Sequence, residues 1–198
     1  MVPNEMRTAS DTDLIRLAQS GNVDAFDQLV QRYDRKVFSL AASYVHSSDD
    51  AKDIFQEVFL RVYKALPKFE SRSEFSTWLF RIATNVCLSH RSRSKRQRHQ
   101  GLRDEGEEED GVSHGVAPES TDNVGETVEQ AEFHGHIKEA LARLSPRQRL
   151  VFLLKYYEEF KVREIAEMTA LSEGSVKKYL FEATNRMRTI LTTHYGKV

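Results

Sequence analysis

Between Glu74 and Asp104 the chain has no acidic side chain, yet it carries Arg81, Arg91, Arg93, Lys95, Arg96, Arg98 and Arg103. Nothing local neutralises that run. Cationic side chains at this density track a phosphate backbone, and neighbouring aromatic rings offer platforms for unpaired bases. Phe69 and Phe75 flank a short loop that begins at Lys68, and Trp78 follows it. Thr77, Arg81 and Asn85 are spaced by four, so on a helix they share one face. The pattern predicts contact with single-stranded nucleic acid. The competing reading makes Phe75, Trp78 and Phe80 a core stripe and Arg91–Arg98 a solvated tail. For the aromatics alone the core reading is the better one, because apolar residues at helical spacing usually pack inward.

A second constellation lies further on. Ile165 and Ala166 fall on a short helical stretch, Thr169-Ala170-Leu171 forms a tight turn, and Ser172 caps a helix carrying Val176 and Leu180 one turn apart. A small residue in the first helix, an apolar residue in the turn and two in the second helix are what a helix-turn-helix contact requires. The second helix then offers Ser172, Ser175, Lys177, Lys178 and Tyr179 to the base edges and phosphates of a major groove. The plainer alternative is a three-helix domain with a solvated basic face. A third group, Asp53, Gln56 and Glu57 with Arg61 one turn on, shares a helix face. It reads either as a docking surface for a protein or as a solvated face, and spacing leaves both open.

Other chemistries lack their residues. There is no glycine-rich phosphate loop, no His-Glu-x-x-His pair and no nucleophile motif. Cys87 is the only cysteine, which excludes an intrachain disulfide and multi-cysteine zinc sites. Cys87 and His90 lie three apart, and His134 and Lys138 four apart, but neither place has enough ligands for a metal. No metal, cofactor or catalytic residue is expected, which argues against a helical enzyme. A single thiol fits a reducing compartment. No apolar run approaches the roughly 18–20 residues of a membrane span, and Met1–Asp13 lacks an apolar signal core, so a cytoplasmic protein without membrane insertion is expected.

The elements that must position these groups are helical. Among the 198 residues, 29 are Lys or Arg and 30 are Asp or Glu, a net charge of −1. The distribution is uneven: net +4 over 1–100, −10 over 101–132 and +5 over 133–198. The acidic stretch is also rich in glycine, serine and threonine, too poor in apolar surface to offset its ordering entropy. It predicts a flexible linker over 100–128, between domains at 1–99 and 129–198. Elsewhere apolar residues recur at three- and four-residue steps. Leu14, Leu17 and Ala18 open a first helix. Asp24 caps a second, and Ser48 or Asp49 a third that Pro67 closes. Trp78, Leu79, Ile82 and Val86 face inward from a fourth. Ser145-Pro146 starts a helix in the second domain, with proline at its first position. The fold class is all-α: two small helical domains on a flexible acidic tether.

Together the motifs resemble a known family. Residues 53–66 (Asp-Ile-Phe-Gln-Glu-Val-Phe-Leu-Arg-Val-Tyr-Lys-Ala-Leu), Phe69, and residues 75–85 (Phe-Ser-Thr-Trp-Leu-Phe-Arg-Ile-Ala-Thr-Asn) look like region 2 of extracytoplasmic-function sigma factors, members of the sigma-70 family. Residues 144–152 (Leu-Ser-Pro-Arg-Gln-Arg-Leu-Val-Phe), Glu164-Ile-Ala and residues 171–177 (Leu-Ser-Glu-Gly-Ser-Val-Lys) look like region 4. The resemblance implies a bacterial transcription initiation factor whose partners are core RNA polymerase, promoter DNA and an anti-sigma factor. It implies that Asp53, Gln56, Glu57 and Arg61 dock on the polymerase. Lys68, Phe69, Phe75, Thr77, Trp78, Arg81, Asn85, Arg91, Arg93, Lys95 and Arg96 would serve −10 recognition and melting, and the helix from Glu173 would read the −35 element. It also implies that the connector threads through the polymerase; there its net charge of −10 would either mimic nucleic acid or simply keep a tether solvated. The family's recognition helix usually carries arginines where this chain has Tyr179 and Glu182, so −35 contacts transfer only as far as Ser175, Lys177 and Lys178. The rival reading is an autonomous helix-turn-helix regulator with a helical dimerisation domain, which would need no basic strand-binding helix.

Overall fold

The computed structural model describes residues 8–45, 47–101 and 128–196, which form eight α-helices and one 3-10 turn, with no strand among them. The linker expected over 100–128 falls almost wholly outside the described residues. Helix α1 (Asp11–Gln19) begins after Ser10, whose hydroxyl accepts from the Asp13 amide at 3.2 Å. Gly21, at φ 93°, turns the chain into α2 (Val23–Tyr44). The cap of α2 is Asn22, which accepts from the Ala25 amide at 3.0 Å. The expected Asp24 lies instead in the first turn, where a carboxylate favours the positive helix end. Helix α3 (Ser48–Ala65) likewise starts one residue early, on Ser47. It passes into a 3-10 turn, Leu66–Lys68, at Pro67. Helix α4 runs from Phe75 to Gly101.

The second domain holds α5 (Val128–Ala142), α6 (Pro146–Tyr156), α7 (Val162–Thr169) and α8 (Glu173–Tyr195). Ser145 and Gln148 close a reciprocal capping box at the start of α6, with Pro146 at the first helical position. Between α7 and α8, Ala170 sits in the left-handed region at φ 54°. There the Leu171 amide reaches back to the Ala166 carbonyl at 3.1 Å. A Cβ in this conformation costs roughly 1–2 kcal/mol. Ala170→Gly is therefore expected to stabilise the second domain by about 1 kcal/mol, a rise of about 5 °C in Tm on thermal melting.

Leu29, Leu40, Ile54, Val58, Val62 and Leu79 fill the first core, and Leu141, Leu150, Leu154, Ile165, Met168, Val176 and Ala183 the second. The two domains also touch. Helix α2 packs on α6 and α4 on α7. Phe80 meets Phe160 edge to face at 5.4 Å, both buried, and Lys36 pairs with Glu158 at 2.8 Å. A tether alone, as the composition implied, did not foretell this contact.

Candidate nucleic-acid and polymerase interfaces

On α4 the four-residue spacing works as expected. Arg81 and Asn85 are exposed and Thr77 is half-buried on the same side. The aromatics divide. Phe69 and Phe75 are buried, at 8% and 4% exposure, while Trp78 is half-buried. Their rings interlock, with centroids 4.7 Å apart for Phe69–Trp78, 5.8 Å for Phe75–Trp78 and 6.0 Å for Phe69–Phe75. Gln19 pins this loop from below, donating to the Leu66 and Phe69 carbonyls at 3.0 and 2.8 Å. Tyr33 completes the support: it meets Phe75 edge to face at 5.5 Å and donates to Asp11. Burial, reinforced by the Asp11 carboxylate, pushes its phenol well above the usual range, so it remains a donor. Phe69 and Phe75 are thus packed into the loop, and Trp78 is the half-buried ring at its edge. Lys68 is exposed beside them. Arg91, Arg93, Lys95 and Arg96 lie on the helical backbone of α4, and their side chains fall outside the described residues.

Asp53 and Gln56 are exposed on α3, while Glu57 and Arg61 are half-buried. Arg61 donates through Nε to Glu57 Oε1 at 2.7 Å, fixing both groups on the helix face. A cavity of about 260 Å³ runs from this face to α4, lined by Asp53, Ile54, Glu57, Arg61, Val86, Ser89 and His90. Three of the four residues chosen on spacing, Asp53, Glu57 and Arg61, therefore share one rim, and Leu60 and Tyr63 are exposed on the same helix. Cys87, fully buried, has its thiol pushed up to about 12 by burial and belongs to the core.

On α8, Ser172 caps the helix through the Ser175 amide at 3.1 Å and pairs with the Ser175 hydroxyl at 2.9 Å. Lys177 and Lys178 are exposed; Ser175 and Tyr179 are half-buried. Glu182 is engaged within the domain. Gln148 donates to its Oε2 at 3.0 Å, and Lys178 lies 3.8 Å from its Oε1.

The residue that motif reasoning missed is Arg149, 2% exposed. Its guanidinium donates to the carbonyls of Leu141 (2.6 Å), Ala142 (2.8 Å), Leu144 (3.1 Å) and, across the domain boundary, Ser43 (2.6 Å). Desolvation pushes it down to about 10, so it stays charged at neutral pH. The signal was present: Arg149 occupies the apolar stripe of α6 with Leu150, Leu153 and Leu154. A cation in a core-facing register needs a dedicated set of acceptors.

Comparison with known proteins adds to this geometry. A family model described as Sigma-70 region 2 matches residues 29–97, and one described as Sigma-70 region 4 matches residues 135–187. The chain is 30% identical over 179 residues to the ECF RNA polymerase sigma factor SigW of Bacillus subtilis, covering 88% of this chain and 92% of that protein. It is 31% identical over 174 residues to the ECF RNA polymerase sigma-E factor of Escherichia coli, covering 88% and 90%. In fold it is similar to the sigma factor RpoE of Bartonella quintana, solved in complex with the anti-sigma factor NepR. That match has a TM-score of 0.63 at 24% identity, covering 84% of this chain and 96% of that one.

Proposed function

The chain belongs to the extracytoplasmic-function sigma factors of the sigma-70 family, and from that premise we infer that it is a transcription initiation factor that binds core RNA polymerase and directs it to promoters. The observation that carries this reading is the presence of both sigma regions in family order on one chain. The first bears a basic helix and a charged docking rim; the second bears a helix-turn-helix. Asp53, Gln56, Glu57 and Arg61 form the polymerase contact. Lys68, Thr77, Trp78, Arg81 and Asn85 face the −10 strand, with Phe69 and Phe75 shaping the loop that receives an unstacked base. Ser172, Ser175, Lys177, Lys178 and Tyr179 meet the −35 duplex. The factor works by binding rather than catalysis, in the cytoplasm where polymerase works. No helix among the described residues is long and apolar enough to cross a membrane. An anti-sigma factor is its expected regulator, as NepR is the partner in the Bartonella complex.

Titration of the purified chain against labelled core RNA polymerase tests the reading. One-to-one binding is expected. A folded chain, free of a co-purified inhibitor, that fails to bind would point to an autonomous regulator instead. Neutralising Arg91, Arg93 and Arg96 is expected to weaken open-complex formation. It should also flatten its dependence on salt by about 2 units in the log–log slope, at roughly 0.7 per single-strand phosphate contact. An unchanged slope would remove these residues from the DNA surface.

A further inference from the structure

We propose that Gln19 is a positioning residue for the −10 element: from the end of α1 it fixes the entry of the loop that receives an unstacked base, so that the loop meets the strand already shaped. This rests on the reading of that loop as the base-receiving one.

The loop leaves the first domain at Phe69 and returns at Phe75, and these two rings meet at its neck. Between them residues 70–74 are all exposed. Ser71 sits in the left-handed region at φ 55°, a conformation that costs a residue with a Cβ. Arg72 pairs with Glu70 at 2.6 Å, but both side chains are solvated. Such a segment has little of its own to hold it. Ordering it only when DNA binds would subtract from affinity, so its shape has to be set from its two ends.

Both ends are held by one short helix. At the entry, the Gln19 side-chain amide donates to the carbonyls of Leu66 and Phe69, which lie 47 and 50 positions further along the chain. The Leu66 carbonyl also closes the 3-10 turn, accepting from the Phe69 amide at 3.0 Å. One NH2 group therefore ties a carbonyl of the turn to the carbonyl from which the loop departs. At the exit, Asp11 from the other end of α1 accepts from Tyr33, whose ring meets Phe75. The platform under Gln19 is itself fixed. Ser20 returns its amide to the Arg16 and Leu17 carbonyls and its hydroxyl to Leu17. The constraint passes on through the Phe69 ring to Trp78, the half-buried ring at the edge of the loop. Gln19 stands at the surface, so replacing it removes two hydrogen bonds and no core packing.

The test uses holoenzyme assembled from the full chain and core polymerase, on a promoter selected from a randomised pool and left unpaired over the −10 element. Each non-template base there is replaced singly by an abasic site, and affinity is measured for wild type, Gln19→Met and Gln19→Lys. Wild type is expected to lose roughly tenfold at one position, within the range for one stacked base. Gln19→Met, which has the reach but no donor, should bind the intact strand about tenfold more weakly and lose no more than about twofold at that position. Its losses elsewhere should match those of wild type. Gln19→Lys restores a nitrogen donor and should regain part of the sensitivity. A merely structural role would lower affinity for every template by one factor and leave the ratio at that position unchanged. A tenfold loss retained in Gln19→Met therefore overturns the proposal, and so does a Gln19→Lys as insensitive as Gln19→Met. Loss of core-polymerase binding in both variants would place Gln19 in the fold rather than in base capture, and overturns it as well. Wild type that is indifferent to every abasic site would strike the reading of the loop itself, a failure seen without any variant.

Discussion

The double variant Asp53→Ala, Glu57→Ala is expected to bind core polymerase at least ~100-fold more weakly, about 2.8 kcal/mol at 1.4 kcal/mol per tenfold. Its far-UV circular dichroism should be unchanged. Asp53 is exposed and Glu57 half-buried, and neither contributes to the core. Glu57 holds Arg61 at 2.7 Å. Its removal therefore takes away an acceptor and also releases a cation whose direction was fixed. Charged groups at an interface rim govern encounter, while those desolvated on docking govern release, and losing one partner of the latter costs several kcal/mol. Lys52→Ala supplies the control. It removes an exposed ion pair with Asp49 on the same helix, a pair of the kind worth little. A double variant that binds as well as Lys52→Ala would displace the docking site from this face.

Arg149→Met is expected to destabilise the second domain by about 3 kcal/mol or more, because several buried carbonyls lose their donor at roughly 1–3 kcal/mol for each one left unsatisfied. Chemical or thermal unfolding reads this directly, with Tm falling by about 15 °C or more. The guanidinium is the shared donor for the last carbonyls of α5 and for the α5–α6 turn, groups a helix end leaves without partners. Arg149→Lys should rescue little, since one ammonium on a flexible stem cannot serve acceptors spread around a planar fork. A loss under 1 kcal/mol in Arg149→Met would show that water satisfies those carbonyls instead.

The helices were legible because their apolar stripes and caps are local. Ser145-Pro146, the Thr169–Leu171 turn and Ser172 fell where the sequence placed them. The caps of α2 and α3 were misplaced by one or two residues. Asp24, Ser48 and Asp49 are competent capping types, and only backbone conformation selects Asn22 and Ser47 over them. The face of Thr77, Arg81 and Asn85 followed from spacing alone. Two features needed three dimensions. Glu182 stood out only as a departure from the family's arginine, because nothing in the sequence says that Gln148, 34 positions earlier, lies within 3.0 Å of it. The contact between domains depends on pairs more than a hundred residues apart, such as Arg149 with Ser43, which no local pattern encodes.

That contact has a consequence for reach. Promoter elements centred near −10 and −35 lie about 25 base pairs apart, roughly 85 Å along the duplex at 3.4 Å per pair. Two touching domains of this size, each with a radius of gyration near 12 Å, have centres only about 25–30 Å apart. The Phe80–Phe160, Lys36–Glu158 and Arg149–Ser43 contacts must therefore part before both elements are engaged. The 26 residues from 102 to 127 allow the separation, since such a length extends to at most about 90 Å. Only the parted form is competent to span a promoter. The apparent dissociation constant for that task is the intrinsic one divided by the parted fraction, so each interdomain contact sets how readily the factor is used.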